Sequence, residues 1–406
     1  MFVLTEKDSE LSLPLSGRDP LGTQAVWQHR ARDIVPDLVA ASQHAEGFHI
    51  LLIAHAWWPQ IAEAMDVSRL TFRQFFLLIE QAFARASRVE DRDWVLPGSR
   101  RLGSGDKKLW FGLGKSSHLL DNQLTNGVYG LYRGPALRAG LIDADDRICD
   151  AQFWRKIIDE TPVIRKLFKP IEALLAQIGD ARRSDPIRNP VSRELTDILR
   201  RLPFRRQLRE AFVTPSKAPI TTSLAGLLIR RAALERNLNA FLSEAIDAMP
   251  AHADVLRNVI HCEQYIAPLD AIFQAICSAD ERNADRVAAT LDIDVAELRT
   301  ARTRFESSGN YRELALERAQ ALLALDLDSK RGLVRSLIEH HGKISKSRSN
   351  APWIAFDEAG KLDCSLVGPR PAQRDLSPAT AWLNSYYLYA FESLTRKVAS
   401  ERTIRA

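Results

Sequence analysis

Cysteine is scarce. Cys149, Cys262, Cys277 and Cys364 are the only four in 406 residues. No two form a Cys-x-x-Cys pair, and no spacing matches a metal-ligand set. A disulfide scaffold and a zinc ribbon are excluded, and neither a metal nor another cofactor is expected. Long apolar runs are missing too. The longest, Phe48 to Trp58, is interrupted by His49 and His55 and stops at Pro59. It falls short of the roughly 20 residues of a spanning helix, so it reads as a buried helix and no membrane partner is expected. The first residues carry Glu6, Lys7, Asp8 and Glu10 instead of the basic start and apolar core of a secretory signal. A cytoplasmic protein with reduced thiols is the expectation. Internal repeats and low-complexity tracts are absent. So are His-Glu-x-x-His, Gly-x-Ser-x-Gly and a nuclease Asp…Glu-x-Lys triad: Glu358 and Lys361 flank a turn without an upstream acid.

An excess of one charge sign is nearly lacking as well. There are 56 Lys and Arg against 51 Asp and Glu, a net +5. Apolar residues make up 46% and charged residues 26%, which excludes disordered and collagen-like classes and supplies enough apolar material for true cores. At roughly 150 residues per domain, the length suits two or three domains.

What is present is helical periodicity. Apolar residues recur at three and four over Thr23–Ala41, where Pro36 interrupts, over Leu51–Ala64, and from an N-cap candidate at Ser68 to Ala86. The pattern returns over Ala151–Asp159, Pro162–Ile178, Ser192–Leu202, Leu224–Met249, Ala251–Ser278, Ala284–Phe305, Tyr311–Leu325 and Gly332–His341. Residues 87–134 differ. Nine Pro and Gly residues from Pro97 to Gly134 punctuate a stretch carrying Arg100, Arg101, Lys107, Lys108, Lys115 and Arg133, which reads as loops and short elements. Trp353–Phe356 and Lys361–Val367 around Asp357–Gly360 read as a β-hairpin, followed by a helix over Pro378–Ala399. The expected fold is mainly α, with a Gly-rich irregular insertion and a C-terminal β-hairpin. Four regions follow: 1–89 helical, 90–149 Gly-rich and basic, 150–348 helical with an arginine-rich segment, and 349–406 hairpin plus helix.

Four features bear on chemistry. Gly112–Ser117 looks like the tail of a phosphate-binding loop, but Leu109 stands where that motif needs its first glycine, so a turn is expected. Arg335 and His340 have the Arg-x4-His spacing of the HEPN ribonucleases, in which His does acid/base work and Arg stabilises developing charge. The bland reading of the same residues is a cationic helix end capped by Gly342. Residues 285–304 have the rhythm of a helix-turn-helix, with Arg299, Arg302 and Arg304 on the second helix and Asp292 where a turn glycine is commonest. A similar rhythm runs over Ile61–Ser68. His55 and His118 read as structural.

The fourth feature is where the charge sits. Residues 181–217 hold ten basic side chains against four acidic ones, a local +6 in a chain of +5. Arginine dominates and is the better bidentate phosphate ligand. Arg182, Arg183, Arg188, Arg200, Arg201, Arg205, Arg206 and Arg209 are therefore candidate nucleic-acid contacts, with Arg100, Arg101, Lys107 and Lys108 in support, and DNA favoured over RNA. A solvated face or a dock for an acidic protein would carry the same charge.

Four blocks complete the picture: Asp19-Pro20-Leu21-Gly22 leading to Val26-Trp27; Leu119–Leu124 with Gly127–Tyr132; Pro352-Trp353-Ile354 with Gly360-Lys361-Leu362; and Trp382–Tyr387. Together they resemble an uncharacterised group of bacterial proteins found in multi-gene phage-defence neighbourhoods, often near helicases or nucleases. The resemblance implies a defence-system subunit and transfers no catalytic residue. Three readings stand: a non-enzymatic nucleic-acid-binding subunit that docks such a partner, a metal-independent ribonuclease using Arg335 and His340, and a protein-only scaffold.

Overall fold

A computed structural model describes residues 19–64, 71–89, 96–103, 112–143, 162, 191–231, 234, 238–364 and 376–399. The protein is mainly helical, with one two-stranded antiparallel hairpin. It divides into two compact units drawn from interleaved stretches of chain: 1–34 with 235–386, and 35–234 with 387–406.

The first unit is organised around one long helix. Here α1 is Thr23–Ile34, and the others are numbered after the helices of the second unit: α9 (Leu238–Ala248), α10 (Ala253–Ser278), α11 (Ala284–Thr290), α12 (Val295–Ser307), α13 (Glu313–Leu323) and α14 (Lys330–Ser347). Apolar residues surround α10 on nearly every side, as expected of a helix at the centre of a core. Leu256, Val259, Tyr265, Ile266, Leu269, Ile272 and Phe273 are all buried, and α1, α9, α12 and α14 pack against it. α1 stops at Ile34, two residues before Pro36, because the residue ahead of a proline disfavours helical backbone.

The hairpin pairs β1 (Ile354–Phe356) with β2 (Leu362–Cys364), Ala355 opposite Asp363. Asp357 Oδ1 accepts from the amides of Ala359 and Lys361, and Gly360 takes the left-handed conformation the turn requires, at φ 74°. Cys262, Cys277 and Cys364 are free thiols.

The second unit holds α2 (Ala45–Ala64), α3 (Phe72–Val89), α4 (Gln123–Asn126), α5 (Val128–Arg138), α6 (Val191–Arg201), α7 (Arg205–Leu208), α8 (Pro219–Arg230) and α15 (Leu388–Ala399). Its core is aromatic, with Phe48, Trp57, Phe75, Phe76, Phe83 and Phe204 essentially inaccessible. Thr71 and Gln74 form a reciprocal cap at the start of α3: each side chain accepts the other's amide. The Gly-rich stretch contributes 3-10 turns at Ser99–Gly103 and Lys115–Ser117 as well as α4 and α5.

Five sequence expectations need correction, among them Ala284–Phe305, which is two helices, α11 and α12, parted at residues 291–294. Leu224–Met249 is two helices, α8 and α9, because apolar spacing continues through a break that it cannot register. At the break, Arg396 of α15 donates to the carbonyls of Leu228 and Arg231. The last helix begins at Leu388 rather than Pro378, since the Ala379, Leu383 and Asn384 amides donate to Glu297 and Glu263 of other helices and leave only a single turn on the Ser377 carbonyl. Gly342 caps nothing: α14 runs on to Ser347, held by the buried stripe Leu337, Ile338, His341 and Ile344, whose packing outweighs the roughly 1 kcal/mol glycine penalty. Helix α2 begins earlier than Leu51, at Ala45. The expected helices at 151–159 and 162–178, and the Ser68 cap, fall outside the described residues apart from residue 162.

Candidate nucleic-acid interface

The arginine segment forms a helix, a sharp turn and a π-helical turn in the second unit. Leu195, Ile198, Leu199 and Leu202 are spaced at three and four and are all buried, so α6 turns one face inward against α3. Arg193, Arg200 and Arg201 lie on the outer face and are exposed. Leu202 ends the helix at φ 46°, a backbone region that glycine normally occupies, and Pro203 prevents continuation. Phe204 is then fully buried. Arg205–Leu208 makes one helical turn, and Arg209–Val213 makes the π turn that buries Phe212 and Val213.

This anchoring leaves Arg200, Arg201, Arg206 and Arg209 in solvent, while Arg205 is half-buried. Arg200 meets Asp197 at 3.1 Å and Arg206 meets Glu210 at 2.8 Å. Both pairs are exposed and worth about 0–1 kcal/mol. Arg201 and Arg209 make no ion pair among the described residues. Lys217 is committed elsewhere, its ammonium held by Asp37 at 3.0 Å and by the Arg138 carbonyl at 2.8 Å.

A histidine fixes the turn. The Nδ1–H of His49 donates to the Ala45 carbonyl at 2.7 Å, so its Nε2 is free to accept the Phe204 amide, at 3.1 Å. Burial holds the imidazole neutral, with its pKa lowered to about 4. In sequence His49 only interrupted an apolar run; nothing local marks its partner in the arginine segment.

Of the supporting basic residues, Arg101 lies on the 3-10 turn and faces Asp121 at 3.6 Å. Arg100 is on the same turn. Lys107, Lys108, Arg182, Arg183 and Arg188 lie outside the described residues.

Behind this region Glu80 of α3 is wholly buried. Its oxygens accept the Val128 amide at 2.7 Å and the Gln123 side chain at 2.9 Å, and Gln123 in turn accepts the Leu119 amide. Burial raises the Glu80 pKa to about 7. A Cβ at Gly127 would collide with Glu80, so the close approach requires glycine there. No local pattern around Glu80 marks this carboxylate's role.

The other sequence candidates have occupied geometries. Arg335 and His340 are five residues apart on α14 and project about 140° apart. Arg335 is exposed and pairs with Asp285 at 3.3 Å. His340 is buried, and its Nε2–H donates to the Leu21 carbonyl at 2.8 Å. Its neighbour His341 donates to the Pro20 carbonyl and accepts the Trp353 amide. Burial lowers the pKa of both. Together they strap residues 19–21 to α14.

In the helix-turn-helix candidate, Asn283 and Asp294 cap α11 and α12. A DNA-reading helix would use its first turn for base edges. On α12, Glu297 in that turn accepts from the Ser377 hydroxyl and the Ala379 amide, so residues 377–379 cover it. Gly112 is tied to the Gln81 amide through both its N–H and its carbonyl, and Lys115–Ser117 is a 3-10 turn.

Among the described residues, no group of three or more His, Cys, Asp or Glu is placed to hold a metal ion. No helix there is long and apolar enough to cross a membrane. No protein-family model, curated protein or solved structure matches the chain.

Proposed function

We propose that the protein is a non-enzymatic nucleic-acid-binding subunit of a bacterial phage-defence complex, gripping the phosphate backbone with the arginine turn and docking a helicase or nuclease partner. The observation that carries the binding is the exposed quartet Arg200, Arg201, Arg206 and Arg209 on a turn held rigid by buried Phe204, Leu208 and Phe212. Four exposed guanidinium groups gathered on and beside one anchored turn favour phosphate contacts of low sequence specificity. The defence context and the partner rest on the resemblance of the four sequence blocks. DNA is the preferred ligand in this reading.

Replacing the four arginines with Glu tests it in a mobility-shift assay. Binding of duplex DNA should fall to background at low salt, and the salt dependence of wild-type binding should include about one unit of slope for each arginine that contacts phosphate. Undiminished retention by a folded quadruple variant would defeat the reading.

A further inference from the structure

The second unit contains a cleft of about 630 Å³. It lies beside the loop preceding α2, between the 3-10 turn at 99–103, residues 119–121 and α5. That volume suits one drug-sized molecule. Leu96, Leu119 and Leu131 supply apolar walls. The polar groups lie at different depths. Tyr132 is 1% exposed, whereas the side chains of Arg101 and Asp121 are 53% and 98% exposed at the mouth. The Tyr132 hydroxyl accepts the His44 amide at 3.4 Å, and burial keeps the phenol protonated. Its own proton has no acceptor among the described residues. Arg101 is half exposed at the mouth, where a phosphate can reach a bidentate guanidinium donor.

The cleft and the arginine turn share a neighbour. Phe48, in the first turn of α2, packs edge-on against Tyr132 at 4.9 Å and against Phe212 of the π turn at 4.6 Å. Next to it, His49 holds Phe204.

We propose that this cleft binds one nucleotide, with its base between the leucine walls and its phosphate on Arg101. The proposal rests on the nucleic-acid reading above and extends it to a second contact. Gln43 both donates and accepts, and with the Tyr132 hydroxyl it meets the edge of the base. A base leaves a duplex only by unstacking, so a nucleotide drawn from a strand implies single-stranded or distorted substrate. A free nucleoside monophosphate presents the same chemistry.

Titrating the full chain with 5′-AMP, GMP, CMP and UMP, and separately with a single-stranded oligonucleotide, tests this by calorimetry. Ala41 lines the cleft and is exposed at its rim, so Ala41→Trp fills the mouth without disturbing the core. Arg101→Gln is the second variant. At least one monophosphate should bind, with affinity about tenfold weaker in each variant. A parallel loss of oligonucleotide affinity in Ala41→Trp identifies the strand as the source, and unchanged oligonucleotide affinity identifies the free nucleotide. No monophosphate binding at millimolar concentration, together with unchanged oligonucleotide affinity in Ala41→Trp, overturns the cleft while leaving the arginine turn standing. Monophosphate binding lost in Ala41→Trp by a chain that retains no oligonucleotide overturns the arginine turn and keeps the cleft.

Discussion

The backbone amide of Phe204 donates to Nε2 of His49 at 3.1 Å, across 155 residues of sequence. One neutral imidazole thereby joins the first turn of α2 to the turn that presents the arginines. Protonating Nε2 removes the acceptor, so the bond exists only while His49 is neutral. The folded pKa is about 4 against 6.5 for the free side chain.

The bond makes the second unit acid-sensitive. Above pH 6.5 both states are neutral and the contribution is complete. As pH falls from 6.5 towards 4, the unfolded chain takes up a proton that the folded one refuses, and stability drops by about 3 kcal/mol before levelling off. Because Glu80 opposes this change over most of the range, urea midpoints should be nearly level with pH in the wild type and should fall as pH rises in His49→Leu. The leucine variant should also be less stable at neutral pH by roughly 1–3 kcal/mol, because the buried Phe204 amide loses its bond to His49. Equal slopes in both would remove His49 from this role.

Glu80 works in the opposite direction. Its pKa rises from 4.5 to about 7 on folding. Below pH 4.5 both states are protonated. As pH rises from 4.5 to 7 the unfolded carboxyl ionises first, and about 3 kcal/mol of stability is lost. Over pH 4.5–6.5 the two residues oppose each other, so the wild type should be nearly flat there. Glu80→Gln should uncover the rise in stability with pH that His49 imposes. A flat Glu80→Gln profile would show that the opposition is absent.

In the first unit, the fully buried Glu263 of α10 accepts from the Leu383 amide, the Asn384 amide at 2.7 Å, the Asn384 side chain at 2.9 Å and the Tyr386 hydroxyl at 2.8 Å. These bonds hold a segment that ends with Tyr386 at φ 47°, a strained conformation for a tyrosine. Glu263→Ala leaves four donors without an acceptor and should lower stability by at least about 3 kcal/mol, with proteolysis appearing in 377–386. Tyr386→Phe should lower it by roughly 1–2 kcal/mol. A loss under about 1 kcal/mol for Glu263→Ala would rule out the clamp.

Arg335 and His340 should separate cleanly. Arg335→Ala breaks one exposed ion pair and should change stability by no more than about 1 kcal/mol. His340→Ala removes a buried strut to Leu21 and should lower it by roughly 1–3 kcal/mol. Metal-free RNA cleavage by the wild type, abolished equally by both substitutions with the fold intact, would establish the pair as catalytic instead.

Apolar spacing located α1, α3, α6, α10 and α14 because a helix with one buried face must repeat at three and four wherever it packs. The hairpin was legible from extended runs around Asp357–Gly360, since that turn's chemistry is local. The break between α8 and α9 was not legible, because two helices in succession carry the same spacing as one. The start of α15 was hidden for a different reason. Residues 378–387 have helical composition, but Glu297 claims the Ala379 amide and Glu263 those of Leu383 and Asn384.

By itself the sequence determined the helical class, the hairpin and the concentration of arginine between residues 181 and 217, all set by neighbours within a few positions. Only the tertiary structure decided which of the described arginines face solvent, that Arg335 and His340 are occupied separately, and that Glu80, Gln123 and Val128 form one network. It also brought His44, Arg101, Asp121 and Tyr132 around one cleft. Those relationships join residues distant in the chain, and burial and hydrogen-bond geometry exist only once the chain has folded.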